Sequence, residues 1–400
     1  MLFTLSSRTP SHWLGYYVAN ALIDEIYFAS LIAASLLILA SRAVPWGRLF
    51  AANTAIILFY GYFVISFLWS SYPADSLIRI LKDIGSTAVM SLVMFSERNP
   101  LEAVRAVYVR CACVAIPLSV LFLRYTQYGK TYSLSGILMY NGVAEQKNSL
   151  GDMLMVSILF LVWDHVESRP GFAKWLWSGM RWDRLALLVM AAWLLYLSES
   201  KTSLVCTLIG LALISARGWL ASRAVSAIIF SSALSLPFLV LLTHEFGSIA
   251  GPFLEMLGRD ATFTGRAGVW SGINFTAVNP LIGAGFYNFW GGAEAKAISE
   301  AVGVQVINAH SGYLDTFLDG GVIGLGILFI LLITSAKRII RNLPLGGFHR
   351  LRFVFLIVTV AGNLTESFFG RISPLWFTTV LVFINYPFRE TNGAHRRIGL

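Results

Sequence analysis

Lys201 and Arg266 are two cations whose surroundings suit the binding of an anion. Lys201 lies in Ser198-Glu-Ser-Lys-Thr-Ser203, between two strongly apolar runs. It is either a lysine that reaches the membrane surface and pairs with Glu199, or a fixed cation that faces a phosphate group. Arg266 lies in Phe263-Thr-Gly-Arg-Ala-Gly-Val-Trp270 at the predicted start of a helix, where exposed N–H groups and a guanidinium together suit a diphosphate. An exposed surface arginine is the alternative for this residue.

His310 is the candidate for proton transfer. It lies in Asn308-Ala-His-Ser-Gly-Tyr-Leu-Asp315, directly before a helical pattern, and of the six histidines it has the most polar and Gly-rich setting. Imidazole is the natural base near neutral pH, although a lone histidine is more often structural. Asp315 is turned about 140° from His310 if the segment is helical, so we expect it to be at most a support for the base.

Other patterns exclude several chemistries. No Gly-x4-Gly-Lys-Ser/Thr loop occurs, and Gly283-Ala-Gly285 lacks the third glycine of a dinucleotide site. The carboxylates Asp315, Asp319 and Glu366 are not spaced with histidines as a metal site requires. We therefore expect no metal and no cofactor, and we assign Glu366, like Asp315, as a candidate support for the reacting groups.

The overall composition places the chain in a membrane. Of its 400 residues 56% are apolar and 13% are charged, and its mean hydropathy is +0.69. These values exclude a soluble enzyme and a disordered chain. The formal net charge of +9 is typical of basic cytoplasmic loops, so no nucleic acid is expected as a partner. The three cysteines lie inside apolar runs, which excludes a disulfide scaffold.

Apolar runs predict an all-α polytopic membrane protein with about eleven transmembrane helices, in a range of ten to twelve. They lie at residues 26–41, 49–69, 84–95, 111–123, 153–163, 185–197, 204–216, 224–243, 322–336, 353–364 and 372–386. The runs 49–69 and 224–243 are the clearest because they contain no charge. Most others are too short to span alone, so charged residues at their ends must enter the membrane region, which implies a wet cavity.

The distribution of positive charge predicts the orientation. Alternate connections contain eighteen and eleven of the 30 Lys and Arg residues, and the richer set is expected in the cytoplasm. The connection 244–321 then lies on the outer side. Loops of this length usually carry function, so we expect short helices and the active site there. The prediction is one integral membrane domain over residues 1–400 with this long loop inside it.

Six motifs give the sequence a resemblance to a known family. They are Trp69-Ser-Ser-Tyr-Pro with Ser76 to Arg79, Gln146-Lys-Asn-Ser-Leu-Gly151, Ser198 to Ser203, Thr264-Gly-Arg-Ala-Gly-Val-Trp270, Asn279-Pro-Leu-Ile-Gly-Ala-Gly285 and His310 to Gly324. In these segments the chain resembles the bacterial O-antigen ligase and polysaccharide polymerase superfamily, particularly its succinoglycan-type exopolysaccharide polymerases. The resemblance covers most of the chain.

The resemblance implies a fold, a reaction and roles for residues. It implies a GT-C-like, metal-independent glycosyltransferase that acts on undecaprenyl-diphosphate-linked glycans at the periplasmic face of the bacterial inner membrane. Arg266 matches the loop arginine implicated in diphosphate binding, and His310 matches the histidine implicated in acceptor activation. Lys201 stands where many members have a second arginine, so charge is retained but a bidentate grip is lost. Lys147 follows the family's Lys-Asn-x-Leu-Gly pattern.

The expected function is therefore inverting polymerisation of lipid-linked repeat units. Lys201, Arg266, Lys147 and Arg79 would hold the diphosphate, and His310 would activate the acceptor hydroxyl. Expected partners are the lipid-linked donor and acceptor, membrane lipids, a flippase and a chain-length regulator. One alternative is an O-antigen ligase that transfers glycan to lipid A core. Another is a transporter or flippase of polyprenyl-linked sugars, although its polar residues should line both halves of the membrane.

Metal independence can be tested with a chelator. Because cations of the chain occupy the role in which a metal would otherwise neutralise the diphosphate, turnover is expected to be unchanged in EDTA. The measurement is glycan extension in chelator-treated membranes. Recovery of activity only on addition of Mg²⁺ or Mn²⁺ would contradict the prediction.

Overall fold

The computed structural model describes residues 2–13, 21–132, 136–167, 181–243, 269–270, 272–275, 278–303 and 305–387. Within them the chain is mostly α-helical, with one antiparallel ribbon of β1 (Lys130–Tyr132) and β2 (Leu138–Tyr140). The α-helices are α1 (Leu2–Ser6), α2 (Pro10–Trp13), α3 (Ala21–Ala40), α4 (Trp46–Ala52), α5 (Thr54–Ile65), α6 (Pro73–Ile84), α7 (Met90–Phe95), α8 (Pro100–Tyr125), α9 (Lys147–Glu167), α10 (Trp182–Leu197), α11 (Lys201–Ser215), α12 (Arg217–Leu220), α13 (Arg223–Thr243), α14 (Ala293–Val302), α15 (Gly312–Asn342), α16 (Phe348–Gly362) and α17 (Pro374–Phe383). A π-helical turn, Gly85–Val89, joins α6 to α7.

The helices bear out a polytopic membrane protein but not the predicted number of spans. Each of the eleven predicted apolar runs lies mainly on helix. Among the described residues, four helices are long and apolar enough to cross a bilayer, and a bent pair would make a fifth. The four lie at Leu22–Ala40, Pro100–Tyr125, Lys147–Glu167 and Gly312–Leu345. The count of eleven is not confirmed, because helices such as α11 and α17 are apolar but have only 15 and 10 residues.

The run 49–69, which we expected to be a single clear span, is sharply bent. The chain turns by 87° between α4 and the helical segment Thr54–Trp69. Asn53 stands at the bend, and its side-chain N–H group donates to the carbonyl oxygens of Leu49 (2.7 Å) and Asn385 (2.9 Å). Its Oδ1 accepts from the backbone N–H of Asn385 (2.8 Å). This one polar residue ties the bend to the end of the chain that follows α17.

Helix α9 is the most enclosed of the candidate spans. Of its 18-residue apolar window, 89% is buried, against 22% for α3. Gly210 of α11 makes close packing on α9 feasible, because a Cβ at this position would lie 2.5 Å from the Leu159 side chain. Helices α15, α16 and α17 contribute many of the other fully buried aliphatic and aromatic side chains. Helix α9 therefore forms the centre of the bundle, whereas α3 lies at its edge.

Helix α15 is broken at Gly321, and another segment fills the break. Gly321 has φ 62° and ψ −162°, so the regular hydrogen bonds of the helix are interrupted there. The N–H groups of Val322 and Ile323 donate instead to the carbonyl oxygens of Pro280 and Leu281 (2.8 and 3.1 Å). In return, the carbonyl oxygens of Leu318 and Asp319 accept from the N–H groups of Ala284 and Gly285 (2.9 and 3.0 Å). The Pro-Leu-x-Gly-x-Gly motif thus replaces the missing bonds of the helix.

The break predicts different responses from two glycines of the same helix. Gly321→Ala should lower the free energy of unfolding by more than about 1 kcal/mol, because a Cβ would lie 2.3 Å from the backbone of Leu281 at a positive φ. Gly326→Ala is the control, since a Cβ there meets no atom within 4 Å. Its stability should be unchanged or higher. Thermal unfolding of both variants in detergent measures the difference, and equal melting temperatures would contradict it.

Candidate functional site

His310 and Glu366 form a hydrogen-bond contact at the centre of the candidate site. The Nδ1 atom of His310 lies 3.3 Å from Oε2 of Glu366. The histidine side chain is 38% exposed and the glutamate side chain 12%. A carboxylate at Nδ1 favours the tautomer with its proton on that nitrogen and leaves Nε2 free to accept a proton. The two side chains therefore have the geometry of a base and its orienting group.

Backbone contacts hold the two residues of this pair together. The N–H group of Gly312 lies within hydrogen-bond distance of the carbonyl oxygens of Asn363 (2.9 Å) and Glu366 (3.1 Å). Gly312 is required here, because a Cβ would lie 1.9 Å from Oδ1 of Asn363. That oxygen already accepts from the N–H groups of Phe368 and Phe369. Asn363 thereby fixes the turn that carries Glu366, and Gly312 attaches the His310 segment to it.

Lys147 begins α9, whose second residue contacts Glu366. Its neighbour Asn148 donates from Nδ2 to Oε1 of Glu366 (3.1 Å). The Lys147 Nζ lies 3.6 Å from Oε2 of Glu199, whose side chain is 69% exposed. Such an exposed contact contributes little stability, so Lys147 remains available to a stronger anion.

Lys201 begins α11 close to the same place. The adjacent Thr202 side chain lies 2.8 Å from the hydroxyl of Thr365, the residue before Glu366. Gly151 permits this approach of α9 and α11, since a Cβ there would lie 2.5 Å from the Ser200 side chain. In the described residues Glu199 pairs with Lys147 and not with Lys201. The alternative of a Lys201–Glu199 pair therefore does not hold in this structure.

Asp315 supports the site through the backbone and does not touch the His310 side chain. It is completely buried, and its Oδ1 accepts from the Trp290 indole (2.7 Å) and from the N–H group of Ala309 (3.0 Å). Ala309 directly precedes His310, which has a positive φ of 51°. The carboxylate therefore fixes the backbone that presents the histidine. Glu366 and not Asp315 is the carboxylate at the imidazole.

Arg371 is a buried cation that none of the sequence motifs contains. Its Nη2 atom lies 3.0 Å from Oδ2 of Asp319 and 3.9 Å from Oδ2 of Asp315. Burial alone would lower the pKa of the Arg371 guanidinium, but the two carboxylates together raise it. Asp315 and Asp319 are spaced i, i+4 on one helix face, a pattern that calls for a buried cation. That spacing could have indicated that a cation is needed here, although not that Arg371 supplies it.

Arg79 lines a cavity together with Tyr287 and Arg371. Its guanidinium carbon is 4.3 Å from the centre of the Tyr287 ring, and that of Arg371 is 4.0 Å from the same centre. The cavity has a volume of about 620 Å³ and is lined by parts of α3 and α6 and by the loops that contain Tyr287 and Arg371. Lys147 and Lys201 are not among its lining residues. A role for Arg79 in diphosphate binding stays a prediction.

Arg266 lies outside the described residues. The tryptophan of its motif, Trp270, is described, and its indole donates to the carbonyl oxygen of Ala309 (2.7 Å) beside His310. In the part of the chain that the structure describes, no group of three or more His, Cys, Asp or Glu side chains could hold a metal ion. Metal independence stays a prediction.

Comparison with known proteins supports the resemblance seen in the motifs. Residues 186–329 match the O-antigen ligase family. The chain is also 26% identical over 306 residues to the exopolysaccharide production protein ExoQ of Rhizobium meliloti (strain 1021). That similarity covers 72% of this chain and 65% of the relative, so the chain spans less than two thirds of the relative's length. The predicted resemblance to the O-antigen ligase and polysaccharide polymerase superfamily is confirmed. Lys201, Arg266 and His310 all lie in the matched segment.

The His310–Glu366 contact predicts a graded loss of activity. His310→Ala should lower turnover by on the order of 10² to 10⁴, the usual contribution of a positioned base. Glu366→Gln should cost less, because the amide still contacts Nδ1 but no longer stabilises its charge. Asp315→Asn should also be milder than His310→Ala, since its oxygen can still accept from Ala309.

Glycan extension at matched membrane abundance measures these effects. Glu300→Gln is the control, because Glu300 is an exposed carboxylate of α14 outside the site. An active His310→Ala beside an inactive Asp315→Asn would reverse the assignment of the base.

Proposed function

We propose that this protein is a metal-independent inverting glycosyltransferase that joins glycan repeat units carried on undecaprenyl diphosphate. The observation that carries this proposal is the His310–Glu366 contact, with the lysine-bearing ends of α9 and α11 next to it. His310 can accept a proton, and the two lysines can neutralise a leaving diphosphate. Both are needed when a sugar is transferred from a lipid diphosphate to a hydroxyl group.

The proposed reaction is a single displacement at the anomeric carbon. Nε2 of His310 takes the proton of the acceptor hydroxyl as its oxygen attacks that carbon. The bond between the carbon and the diphosphate oxygen breaks, and the lipid diphosphate leaves with the electron pair. Glu366 stabilises the imidazolium that forms, because its carboxylate is already placed at Nδ1. Attack opposite the leaving group inverts the configuration of the sugar.

Lys147, Lys201 and Arg266 are proposed to bind the donor diphosphate. Lys147 and Lys201 stand at the first residues of two helices, where backbone N–H groups favour an anion in addition to the ammonium charges. Among the described residues no hydrogen bond or ion pair engages Lys201, so it is free for a phosphate. Arg266 is carried over from the family motif, four residues before the anchored Trp270. No nucleotide sugar is needed, since the glycosyl-diphosphate bond supplies the driving force.

We prefer a second lipid-linked repeat unit as the acceptor, which would make the protein a polymerase. This preference draws on the similarity to an exopolysaccharide production protein. The matched O-antigen ligase family favours a second candidate, transfer to lipid A core. In either case we propose a GT-C-like fold in the bacterial inner membrane, with one integral domain over residues 1–400 and the site facing the periplasm at the long loop 244–321. A flippase that delivers the donor and a chain-length regulator are the proposed partners.

Purified full-length protein with defined undecaprenyl-diphosphate-linked repeat units tests the function. Longer lipid-linked glycan, formed without ATP or a nucleotide sugar, is the expected result. Transfer to lipid A core alone would establish the ligase instead. Absence of transfer to either acceptor by protein that unfolds cooperatively would overturn the proposal and favour a transporter.

The charge of Lys201 is expected to be essential. Lys201→Gln should reduce turnover at least about tenfold, because a charge-assisted hydrogen bond to phosphate is lost. Lys201→Arg should keep most of the activity. The control is Lys296→Gln, an exposed lysine of α14. Equal losses in the Gln and Arg variants would show that the lysine serves packing and not phosphate binding.

A further inference from the structure

We propose that the 620 Å³ cavity containing Arg79, Tyr287 and Arg371 binds the acceptor glycan, as a sugar chain without phosphate. This inference rests on the proposed function, because it assigns one of the two substrates to a place next to His310. It separates Arg79 from the diphosphate-binding lysines with which the motifs had grouped it. The volume lies in the usual range of small-molecule sites, about 300 to 1,000 Å³.

The cavity adjoins the reacting groups through neighbours of each of them. Asn308 lines it and accepts from the backbone N–H group of His310 through Oδ1 (3.0 Å). Ser367, the residue after Glu366, lines it as well. So does Ser149, which follows the Asn148 that contacts Glu366. A ligand in the cavity would therefore lie next to the His310–Glu366 contact.

The charges of the cavity suit a hydroxyl-rich ligand better than a diphosphate. Three cations line it, and so do four carboxylates: Arg79, Lys82 and Arg371 against Asp24, Glu25, Asp75 and Glu145. A diphosphate would bring its negative charges close to those carboxylates, which is unfavourable in a partly enclosed space. A sugar hydroxyl both donates and accepts, so it can bond to the cations and to the carboxylates alike.

An aromatic side chain, Tyr287, orders the two arginines at the cavity wall. The centre of its ring lies 4.3 Å from the guanidinium carbon of Arg79 and 4.0 Å from that of Arg371. These cation–π contacts restrain the ring. Tyr287 also adopts a positive φ of 57°, a backbone conformation that is uncommon for a residue with a side chain. The surrounding structure thus holds a strained residue in place at the cavity wall.

Arg371 supplies buried hydrogen-bond donors that point to a missing partner. Its side chain is 9% exposed, and its Nε and Nη1 atoms have no hydrogen-bond partner among the described residues. Its charge is already balanced by Asp319, so these donors do not require an anion. Buried donors of this kind are normally satisfied by protein, water or ligand. Sugar hydroxyls, with or without bridging water, satisfy them without adding charge.

The test compares two probes on the full-length protein in detergent. One is undecaprenyl diphosphate without sugar, and the other is the oligosaccharide released by mild acid from lipid-linked repeat units of the host. Arg79→Gln and Asp75→Asn should each weaken binding of the oligosaccharide about tenfold, the effect of losing one hydrogen bond to a charged group. Binding of undecaprenyl diphosphate should stay unchanged. Arg124→Gln, an exposed arginine at the end of α8 outside the cavity, is the matched control.

The outcomes separate this inference from the proposed function. Weaker undecaprenyl diphosphate binding by Arg79→Gln, with oligosaccharide binding intact, would overturn the inference and return Arg79 to the donor site. Failure of the unmodified protein to bind the oligosaccharide would also overturn it. Neither result bears on the transferase itself, which fails only if the unmodified protein transfers no glycan from the lipid diphosphate.

Discussion

The backbone bonds across the break in α15 are the interaction on which the site depends. A broken helix in a membrane leaves N–H and C=O groups that no water can satisfy, and each costs several kcal/mol. Here residues 280–285 satisfy four of them, and the hydroxyl of Tyr62 donates to a fifth, the carbonyl oxygen of Gly320 (2.7 Å). Because of the break, the axis of the first part of α15 need not follow the axis of the second part. That first part, from Gly312 to Gly320, carries Asp315 and is attached to the turn of Glu366.

A second constraint acts inside this frame, where two buried carboxylates share one guanidinium. Removing one member of a buried ion pair commonly costs about 3–5 kcal/mol, because the remaining charge has no partner. Loss of Arg371 would leave both Asp315 and Asp319 in that state. Since Asp315 also bonds to Ala309 and Trp290, the loss would reach the backbone of His310. Arg371 therefore connects the wall of the cavity to the position of His310.

Much of this architecture could be predicted from the sequence. Hydrophobic runs located the helices, because burial and lipid contact both select apolar residues. Motifs identified His310, Lys147 and Lys201, which the structure places around one turn. The same signals could not reveal the bend at Asn53 or the break at Gly321, since both depend on bonds to residues far along the chain. For the same reason the sequence could not reveal that Glu366 contacts the imidazole or that Arg371 pairs with Asp319. Each contact joins segments that only the fold brings together.

The break in α15 also has a consequence for biosynthesis. The part after it, residues 322–342, has 21 residues and extends about 31 Å at the rise of an α-helix, which is enough to cross the hydrocarbon core by itself. This part can enter the membrane as an ordinary helix as soon as it leaves the ribosome. The first part is held in addition by contacts with Asn363, Glu366 and Arg371, which are synthesised later. The end of the helix that contacts the Glu366 turn is thus completed after the part that enters the membrane, and the His310–Glu366 contact can form only once the turn between α16 and α17 has been synthesised.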